Sequence, residues 1–467
     1  MIQEGDWDMG IAKILAQRLC ATHYQNLPDA ALYWGKVALM DTVGVMLAGS
    51  QESAPQILRS VLSAAPGPCL LLGSTDRVPC LEAALINGTA AHALDFDNTA
   101  AHFAGHISAV MVPALLAAGE SFDVSIQSLL LAHSVGFEVG CRIGRGVNQG
   151  LYHSEKGWHP TSTLGVFAVA AACARLLNLT EAQSEQALLI ATSLSSGIKA
   201  NFGTMTKPLH VGECARAGLM AALLARQGFD AHAQAFEHPQ GFFNLYNGPG
   251  HYDVEAVNED WGNPFDVVTP GASYKQYPCC YSTHAAIEAA LMLVREHGVF
   301  DAESIDTIET FTPAFGLAYT NRPQPHSDLD AKFSVQYCVV KALLSGQVVL
   351  EDFEENAFLD PTVQKLLPRV NSQKYTGVMF DPQDPFDAEL QVTLKSGARL
   401  HSKVDRPLGR TSAVPIPFER LRAKFENCAA RALTPEAVAQ AAELLSLADK
   451  NAGSVREFTA ILAGVRG

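Results

Sequence analysis

The feature that most limits the fold of this chain is a long run of helical periodicity without strand-like alternation. From Pro28 to about Pro270, apolar residues recur at helical spacing, and Pro and Gly residues separate the segments. One segment, Thr161–Leu177, is apolar on nearly all sides and predicts a buried central helix. No strand pattern of any length precedes Gly271, so this part of the chain predicts an all-helical domain.

The pattern changes after Tyr274. Ser282–His297 predicts a helix, and Ile305–Thr312 alternates like a strand. Ala388–Lys395 and Ala398–Val404 give the clearest hairpin pattern in the chain. We therefore expect a mainly α fold, with a large all-helical domain from residues 1–270 and 411–467 and a smaller α+β domain from residues 271–410.

Composition limits the partners and the compartment. The 467 residues carry a formal net charge of −15, which disfavours nucleic acid and anionic membrane surfaces as partners. The ten cysteines contain no Cys-x-x-Cys pattern, as in a protein of a reducing compartment without an iron–sulfur or structural zinc site. The N-terminus is acidic at Glu4, Asp6 and Asp8, without a signal-peptide pattern, and no uncharged apolar run is long enough for a membrane span. We expect a soluble, cytoplasmic protein.

The stretch Ser195–His210 concentrates positive charge in this acidic chain. It carries Lys199, Lys207 and His210 among small residues, Pro208 would stop any preceding helix, and Val211–Gln227 predicts an apolar helix after it. Small residues allow close approach of a ligand, and a helix N-terminus offers backbone N–H groups to an anion. The stretch predicts an anion-binding site; the alternative is a surface loop with solvated lysines.

A second dense segment runs from His92 to His106. His102 and His106 stand four residues apart, and Asp95 and Asp97 offer oxygens, so one interpretation is a metal site. A second interpretation is acid–base chemistry, in which an Asp orients a His. The third is structural, with carboxylates capping local backbone and histidines satisfied as buried polar groups.

Three other places offer isolated signals. His159 precedes the central helix, whose N-terminus would lower the imidazole pKa, although Thr161 could simply cap that helix. Lys275 lies at the domain boundary, where pockets are common, but it could equally be solvated. Tyr319 and Arg322 could face one cleft, and packing or solvation is the alternative for both.

Together these segments resemble the MmgE/PrpD family, whose members include 2-methylcitrate dehydratase, cis-aconitate decarboxylase and iminodisuccinate epimerase. The resemblance runs in order from about Asn87 to Tyr337. It rests on His-Ala-Leu-Asp-Phe-Asp-Asn-Thr (92–99), Gly-His-Ile-Ser (105–108), Gly-Trp-His-Pro-Thr-Ser-Thr-Leu-Gly (157–165), Asn-Phe-Gly-Thr-Met-Thr-Lys-Pro-Leu-His (201–210), Lys-Gln-Tyr-Pro-Cys-Cys (275–280) and Ala-Lys-Phe-Ser-Val-Gln-Tyr (331–337). One departure is Asn98, where many members have a second Asp, and the spacing to His106 is longer by one residue. The choice between His102 and His106 therefore stays open, and the Gly-His-Ile-Ser context favours His106.

The resemblance implies a helical domain, a smaller α+β lid, a homodimer, and a site without cofactor or metal. It implies catalytic roles for His106, His159, Lys207, Tyr319 and Asp95. It implies substrate binding by Thr99, Lys207 and Lys275, to which the charged stretch adds Lys199 and His210. In this hypothesis the lysines hold carboxylates, the histidines move protons, Asp95 and Thr99 orient the imidazoles, and Tyr319 donates a proton.

The expected function is a lyase acting on a di- or tricarboxylic acid by proton abstraction next to a carboxylate. A hydro-lyase similar to 2-methylcitrate dehydratase is the first expectation, and a decarboxylase or an epimerase of the same family is the alternative. A carboxylate-binding protein without catalysis is the remaining possibility from a different class. The sequence does not decide which acid is bound.

Overall fold

The structure is a computed structural model that describes residues 10–62, 65–147, 152–381, 384–450 and 453–466. The acidic residues Glu4, Asp6 and Asp8 lie outside the described residues. The chain divides into two compact units. The first contains residues 1–274, 411–413 and 417–467, and the second contains residues 275–410 and 414–416.

The first unit is built from helices, as the apolar periodicity predicted. In chain order they are α1 (Ile11–Ala21), α2 (Asp29–Gly49), α3 (Ser53–Val61), α4 (Cys80–Ala93), α5 (Ile107–Phe122), α6 (Ile126–Val147), α7 (Tyr152–Glu155), α8 (Pro160–Thr163), α9 (Gly165–Leu176), α10 (Glu181–Thr192), α11 (Thr206–Arg226), α12 (Phe242–Tyr246) and α13 (Val254–Asn258), followed near the C-terminus by α19 (Phe418–Ala429), α20 (Pro435–Ser446) and α21 (Val455–Leu462).

The predicted central helix is buried, but it forms in two pieces. Helix α8 ends at Thr163, and α9 begins at Gly165. From Gly165 to Ala174 every residue of α9 is buried, as expected for a helix that is apolar on all sides. Helix α10 begins with a capping box: the Thr180 side chain accepts from the Gln183 N–H, and the Gln183 side chain accepts from the Thr180 N–H.

Short strands in the first unit are a correction to the sequence prediction. Cys69–Leu70 (β1) pairs with Arg77–Val78 (β2), and Thr99–Ala100 (β3) pairs with Ala272–Ser273 (β4), both antiparallel. Strands of this length contain no alternation that a pattern search could detect. The β3–β4 pair nevertheless matters, because it ties Thr99 to the segment that precedes Lys275.

Helix α2 is the one described helix that is long and apolar enough for a membrane span by length and composition. Its most apolar window is 83% buried inside the structure, and Lys36 and Asp41 interrupt the apolar run. Such burial is typical of a core helix.

The second unit combines a mixed sheet with helices. The sheet has the order β6 (Val370–Lys374), β5 (Ile305–Thr312), β7 (Ala388–Leu394) and β8 (Arg399–Val404), with β5 and β6 parallel and the other pairs antiparallel. The helices are α14 (His284–His297), α15 (Ala314–Thr320), α16 (Asp328–Lys332), α17 (Val335–Ser345) and α18 (Pro361–Leu366).

The predicted hairpin is β7–β8, and Leu390 and Val392 point into the core as expected. Strand β6 was not predicted, because its sequence Val-Asn-Ser-Gln-Lys is polar and belongs to an edge strand with one buried residue. The mainly α fold with a small α+β region is confirmed.

Candidate active site

Two helices of the first unit cross at glycines, and this crossing brings the charged groups of the site together. A Cβ on Gly88 of α4 would stand 2.9 Å from the Cα of Gly212 on α11, and a Cβ on Gly212 would stand 2.2 Å from the carbonyl oxygen of Leu85. Only glycine allows backbones to approach so closely. Lys207 in the first turn of α11 consequently reaches the segment that follows α4.

Asp95 ends helix α4 in a left-handed conformation. Its φ is +53°, and its N–H donates to the carbonyl oxygen of His92. Asp is one of the residues that tolerate this conformation at a helix end. The turn places the Asp95 carboxylate beside the Lys207 ammonium, with Nζ 2.8 Å from Oδ1.

Two imidazoles face the same carboxylate. The Nε2 atoms of His92 and His106 each lie 3.9 Å from Asp95 Oδ1. The rings of His92 and His106 meet edge to face, with centroids 4.3 Å apart. The Lys207–Asp95 pair therefore lies against two imidazole nitrogens.

Asp97 holds both imidazoles from the other side. His92 Nδ1 lies 2.9 Å from Oδ1, and His106 Nδ1 lies 2.9 Å from Oδ2. The sequence hypothesis gave the orienting role to Asp95 and Thr99, but the carboxylate that contacts both Nδ1 atoms is Asp97. Burial alone would raise the pKa of Asp97, but the imidazoles of His106 and His92 outweigh it and hold that pKa well below its usual range.

Gly105 explains why His106 occupies this place. A Cβ on Gly105 would come within 2.7 Å of Thr161 Oγ1, so the backbone packs directly against helix α8. The backbone N–H of His106 donates to Thr161 Oγ1. Thr161 therefore binds the His106 backbone, and the sequence alternative that Thr161 caps its own helix is wrong; the N-cap residue is His159.

His159 and His210 form a third pair of imidazoles. Their Nδ1 atoms are 3.1 Å apart, so one ring donates and the other accepts. The pKa of His159 lies well below its ordinary value, but the causes are burial first and then the charge of Lys207, and not the helix N-terminus that the sequence indicated. Burial and Lys207 also lower the pKa of His210. Phe202 packs its ring against the edge of His159, and the Lys207 ammonium lies 5.3 Å from its centroid.

The backbone part of the predicted anion site is wrong. Helix α11 begins at Thr206, five residues earlier than the apolar pattern from Val211 indicated. Its first N–H groups are already satisfied: Thr206 N–H donates to Thr204 Oγ1, and Lys207 N–H donates to the carbonyl oxygen of Thr204. An anion at this helix would therefore meet the Lys207 side chain and not free backbone donors.

The remaining predicted site residues lie in different surroundings. Lys199 donates to the carbonyl oxygen and hydroxyl of Ser154, and Thr99 lies in strand β3. His102 contacts Asp266, with Nδ1 2.6 Å from Oδ1, while His106 lies in the cluster. Lys275 and Tyr319 belong to the second unit, where Lys275 is buried and Tyr319 is exposed.

Four donor side chains in this cluster have ligand atoms within 4.8 Å of one another: His92, Asp95, Asp97 and His106. The Lys207 ammonium contacts Asp95, and the Asp97 oxygens face the two Nδ1 atoms. A divalent cation would have to displace the ammonium or compete with the imidazoles for Asp97. This donor arrangement is suited to proton transfer, and the absence of a metal stays a prediction.

Sequence reasoning named Asp97 only as a possible metal ligand, and it assigned no role to His92 or to the groups that support these two residues. Lys424 of α19 contacts Asp41 of α2, with Nζ 2.6 Å from Oδ1, and donates to the carbonyl oxygen of Phe96 at 2.8 Å. These contacts fix the backbone next to Asp97. The His92–Asp97 spacing was visible in the sequence. Lys424, however, stands 328 residues from Phe96 in the chain, so no local sequence pattern indicated their contact.

Two family models match the chain in order. The MmgE/PrpD N-terminal domain matches residues 13–255, and the MmgE/PrpD C-terminal domain matches residues 277–449. The chain belongs to the MmgE/PrpD family.

Several curated relatives are similar over most of their length. Cis-aconitate decarboxylase of Homo sapiens is 30% identical over 424 residues, covering 88% of this chain and 86% of the relative. Cis-aconitate decarboxylase of Aspergillus terreus is 26% identical over 86% of each chain. The 2-methylcitrate dehydratase of Cupriavidus necator is 25% identical over 86% of this chain and 87% of the relative. The MmgE/PrpD protein described here is a lyase, as the resemblance implied.

Proposed function

We propose that this MmgE/PrpD protein is a cofactor-independent lyase for a tricarboxylic acid of the aconitate and citrate class, with decarboxylation of cis-aconitate as its first candidate reaction. The observation that carries the proposal is the Lys207 ammonium, held 2.8 Å from Asp95 among imidazoles. A substrate carboxylate can take the place of the Asp95 oxygen beside this cation. The greater identity to named cis-aconitate decarboxylases than to the named dehydratase supports decarboxylation over the dehydration expected from the sequence.

Fixed positive charge is the main requirement of this chemistry. When the bond to a leaving carboxylate breaks, its electron pair passes into the double-bond system and toward a remaining carboxylate. A preorganised ammonium in a site that excludes water stabilises this developing charge. We assign that role to Lys207 and propose Lys275 as a second carboxylate-binding group. Lys275 follows Ser273 by two residues, and Ser273 pairs with Thr99.

The decarboxylation balances with one proton. Carbon dioxide leaves, and a protonated imidazole adds its proton to the carbon at the other end of the allylic system. His106 is the proposed donor of this proton, with Tyr319 as a further donor, because burial and the charge of Lys207 lower the pKa of His159 and keep that ring neutral. Water or buffer then reprotonates the imidazole, so that one proton is consumed for each carbon dioxide released.

Dehydration of a citrate-like acid is the second candidate, and the state of the imidazoles favours it. Burial is the largest cause that lowers the pKa of His92, to about 4, so this ring is neutral at neutral pH. Burial also holds the pKa of His159 well below its ordinary value, and a neutral imidazole can accept a proton from carbon. In dehydration, that proton leaves the carbon next to a carboxylate, the electron pair forms the double bond, and hydroxide departs as water after protonation by a second group.

The experiment offers cis-aconitate, citrate and 2-methylcitrate separately to the purified protein in deuterated buffer, with NMR detection and measurement of released carbon dioxide. Loss of cis-aconitate with one carbon dioxide and one deuterium per product supports the first candidate. Dehydration of 2-methylcitrate without carbon dioxide would assign the second. Binding that raises the melting temperature without exchange or turnover for any acid would overturn both and leave a carboxylate-binding protein.

An additional arm tests epimerisation. Aspartate-derived acids are included, and inversion without loss of carbon dioxide or water would replace the lyase proposal by an epimerase of the same family. We also propose a homodimer, supported by the family resemblance, and a cytoplasmic location, supported by ten cysteines without a Cys-x-x-Cys pattern. Sedimentation equilibrium measures the oligomeric state.

A further inference from the structure

The Asp97 carboxylate lies between two histidines. His92 Nδ1 is 2.9 Å from Oδ1 and 3.1 Å from Oδ2, and His106 Nδ1 is 2.9 Å from Oδ2. The side chains of His92 and Asp97 are completely buried, and that of His106 is 13% exposed. Only His106 of the two imidazoles is therefore accessible from outside the cluster.

This arrangement determines the tautomer of both rings. An ionised carboxylate can only accept hydrogen bonds, so His92 Nδ1, which is hydrogen-bonded to Asp97, must carry a hydrogen. His106 Nδ1 lies 2.9 Å from Oδ2 outside hydrogen-bond geometry, and a hydrogen on this nitrogen avoids repulsion between its lone pair and the carboxylate. In the neutral rings the lone pairs then lie on the Nε2 atoms. Each Nε2 faces Asp95 Oδ1 at 3.9 Å, and His92 Nε2 is buried without a hydrogen-bond partner.

We propose that His92 is a positioning residue for the reaction: it donates to Asp97, keeps the carboxylate ionised between the two rings, and limits how strongly Asp97 stabilises a protonated His106. This inference rests on the proposed function for its catalytic consequence, while the tautomers follow from the geometry alone. The Asp97 carboxylate contacts both imidazoles. When the His92 ring is removed, the negative charge of Asp97 acts on the His106 ring alone.

The charged and titratable groups around His92 are few. Asp97 and Asp95 face its two nitrogens, the ring of His106 packs against its face, and His159 lies with its centroid 6.3 Å away. The charge of Lys207 also acts on His92. These neighbours remain in a variant that changes His92 alone, so the effect of its N–H on Asp97 can be measured.

The first test compares His92→Phe with His92→Asn. Phenylalanine retains the ring volume and removes the donor, whereas asparagine retains an N–H that can reach Asp97. The expected result for His92→Phe is that the limb of the kcat/KM profile that reports His106 moves to higher pH by about one unit. This is the acid limb where His106 accepts a proton, as in dehydration, and the alkaline limb where it donates one, as in decarboxylation. His92→Asn should move the limb by less than half as much. A pH profile in His92→Phe with both limbs unchanged and full activity would refute the positioning role.

The second test does not depend on turnover or on a variant that folds. Neutron diffraction from crystals of the wild-type protein exchanged into deuterium oxide locates the deuterons on the imidazoles. Deuterons on Nδ1 of both His92 and His106 are expected, even where the protein proves inactive on every acid offered. A deuteron on Nε2 of either ring, with Nδ1 bare, would overturn the inference while leaving the lyase proposal intact.

Discussion

Lys207 Nζ lies 2.8 Å from Asp95 Oδ1, and this ion pair joins the start of helix α11 to the end of helix α4. The pair is largely buried, with 15% and 13% of the two side chains exposed. An ammonium held in such a place is oriented before a substrate arrives. A substrate carboxylate can therefore pair with a cation that is already in position.

The first prediction concerns Lys207→Met, which preserves the length of the side chain and removes its charge. We expect kcat/KM for the accepted acid to fall by at least about 100-fold, because a fixed electrostatic stabiliser is lost. Steady-state kinetics with the acid identified in the substrate screen measure the change. A decrease below about threefold would contradict the role assigned to Lys207.

Arg216→Met is the matched control. Arg216 is a half-exposed cation on the same helix, where it pairs with Glu213 three residues away. Its replacement removes one positive charge from α11 without altering the Lys207–Asp95 pair. A comparable loss in Arg216→Met would attribute the effect to the net charge of the helix.

The second prediction concerns Asp97→Asn. An amide accepts a hydrogen bond through its oxygen but donates through its nitrogen, so one of the two imidazoles would have to present a bare Nδ1 and carry its hydrogen on Nε2. We expect kcat to fall by about 10²–10⁴, as in other sites where an Asp that orients a His is replaced by Asn. The control is Asp123→Asn, because Asp123 is exposed and adopts a left-handed conformation that Asn tolerates. Near-normal kcat in Asp97→Asn would show that the tautomers of His92 and His106 do not affect catalysis.

Much of this fold follows from sequence pattern. The long helices and the β7–β8 hairpin carry the periodicity expected for their burial, and the predicted strand Ile305–Thr312 has the observed bounds. The polar edge strand β6 and the short β3–β4 pair carry no such signal. They form because tertiary neighbours provide hydrogen-bond partners, which local preference does not reveal.

The sequence predicted most segments that contribute to the candidate site, but it did not predict which of their side chains contact one another. The Asp- and His-rich segment pointed to proton transfer or to a metal, and the lysine-rich stretch pointed to an anion. The sequence could not show that Asp97, and not Asp95, contacts both Nδ1 atoms, because the left-handed conformation of Asp95 carries no pattern in the sequence. It also could not show that Asp95 is the partner of Lys207, 112 residues away.

The third prediction is that a chelator leaves activity unchanged. The Lys207 ammonium supplies the positive charge beside Asp95 that a divalent cation would otherwise supply. We expect kcat/KM after dialysis against EDTA to stay within about twofold of its starting value, since a divalent cation would have to displace the ammonium from Asp95. Elemental analysis of the dialysed protein is the accompanying measurement. Loss of activity that a divalent cation restores would instead establish a metal site in the cluster.

The fourth prediction is acid sensitivity from a buried histidine outside the site. Burial lowers the pKa of His133 from the ordinary value of about 6.5 to about 4. Because the folded-state pKa is the lower one, the neutral ring stabilises the protein fully above about pH 6.5, and this stabilisation is lost as the pH falls toward 4. Urea unfolding measures the free energy of unfolding of the wild type and of His133→Met at about pH 7 and about pH 5. The decrease in this free energy between the two pH values should be smaller in the variant by on the order of 2 kcal/mol.

The control for this measurement is His23→Gln, a change at an exposed histidine. It should leave the pH dependence of the free energy of unfolding as in the wild type. Equal acid sensitivity in His133→Met and the wild type would mean that other groups account for the effect.

The fifth prediction concerns the contacts that hold the Asp97 segment from behind. Lys424 Nζ lies 2.6 Å from the buried Asp41 and 2.8 Å from the carbonyl oxygen of Phe96. Lys424→Met leaves the Asp41 carboxylate without its cation, and removal of one partner from a buried ion pair typically costs about 3–5 kcal/mol. We expect a decrease of that order in the free energy of unfolding near neutral pH, measured with urea, and a decrease in kcat because the backbone next to Asp97 loses its support.

The pH dependence of this destabilisation identifies its cause. Burial already raises the pKa of Asp41 against the opposing charge of Lys424, so without that charge Asp41 will take up a proton in the folded protein. A group whose folded pKa is raised loses stability as the pH rises, and Lys424→Met should therefore be more destabilised near pH 7 than near pH 5. The double variant Asp41→Asn with Lys424→Met removes the carboxylate and should recover most of the stability but not the kcat, since the bond to Phe96 stays absent. Full recovery of kcat in the double variant would show that Lys424 acts only through Asp41.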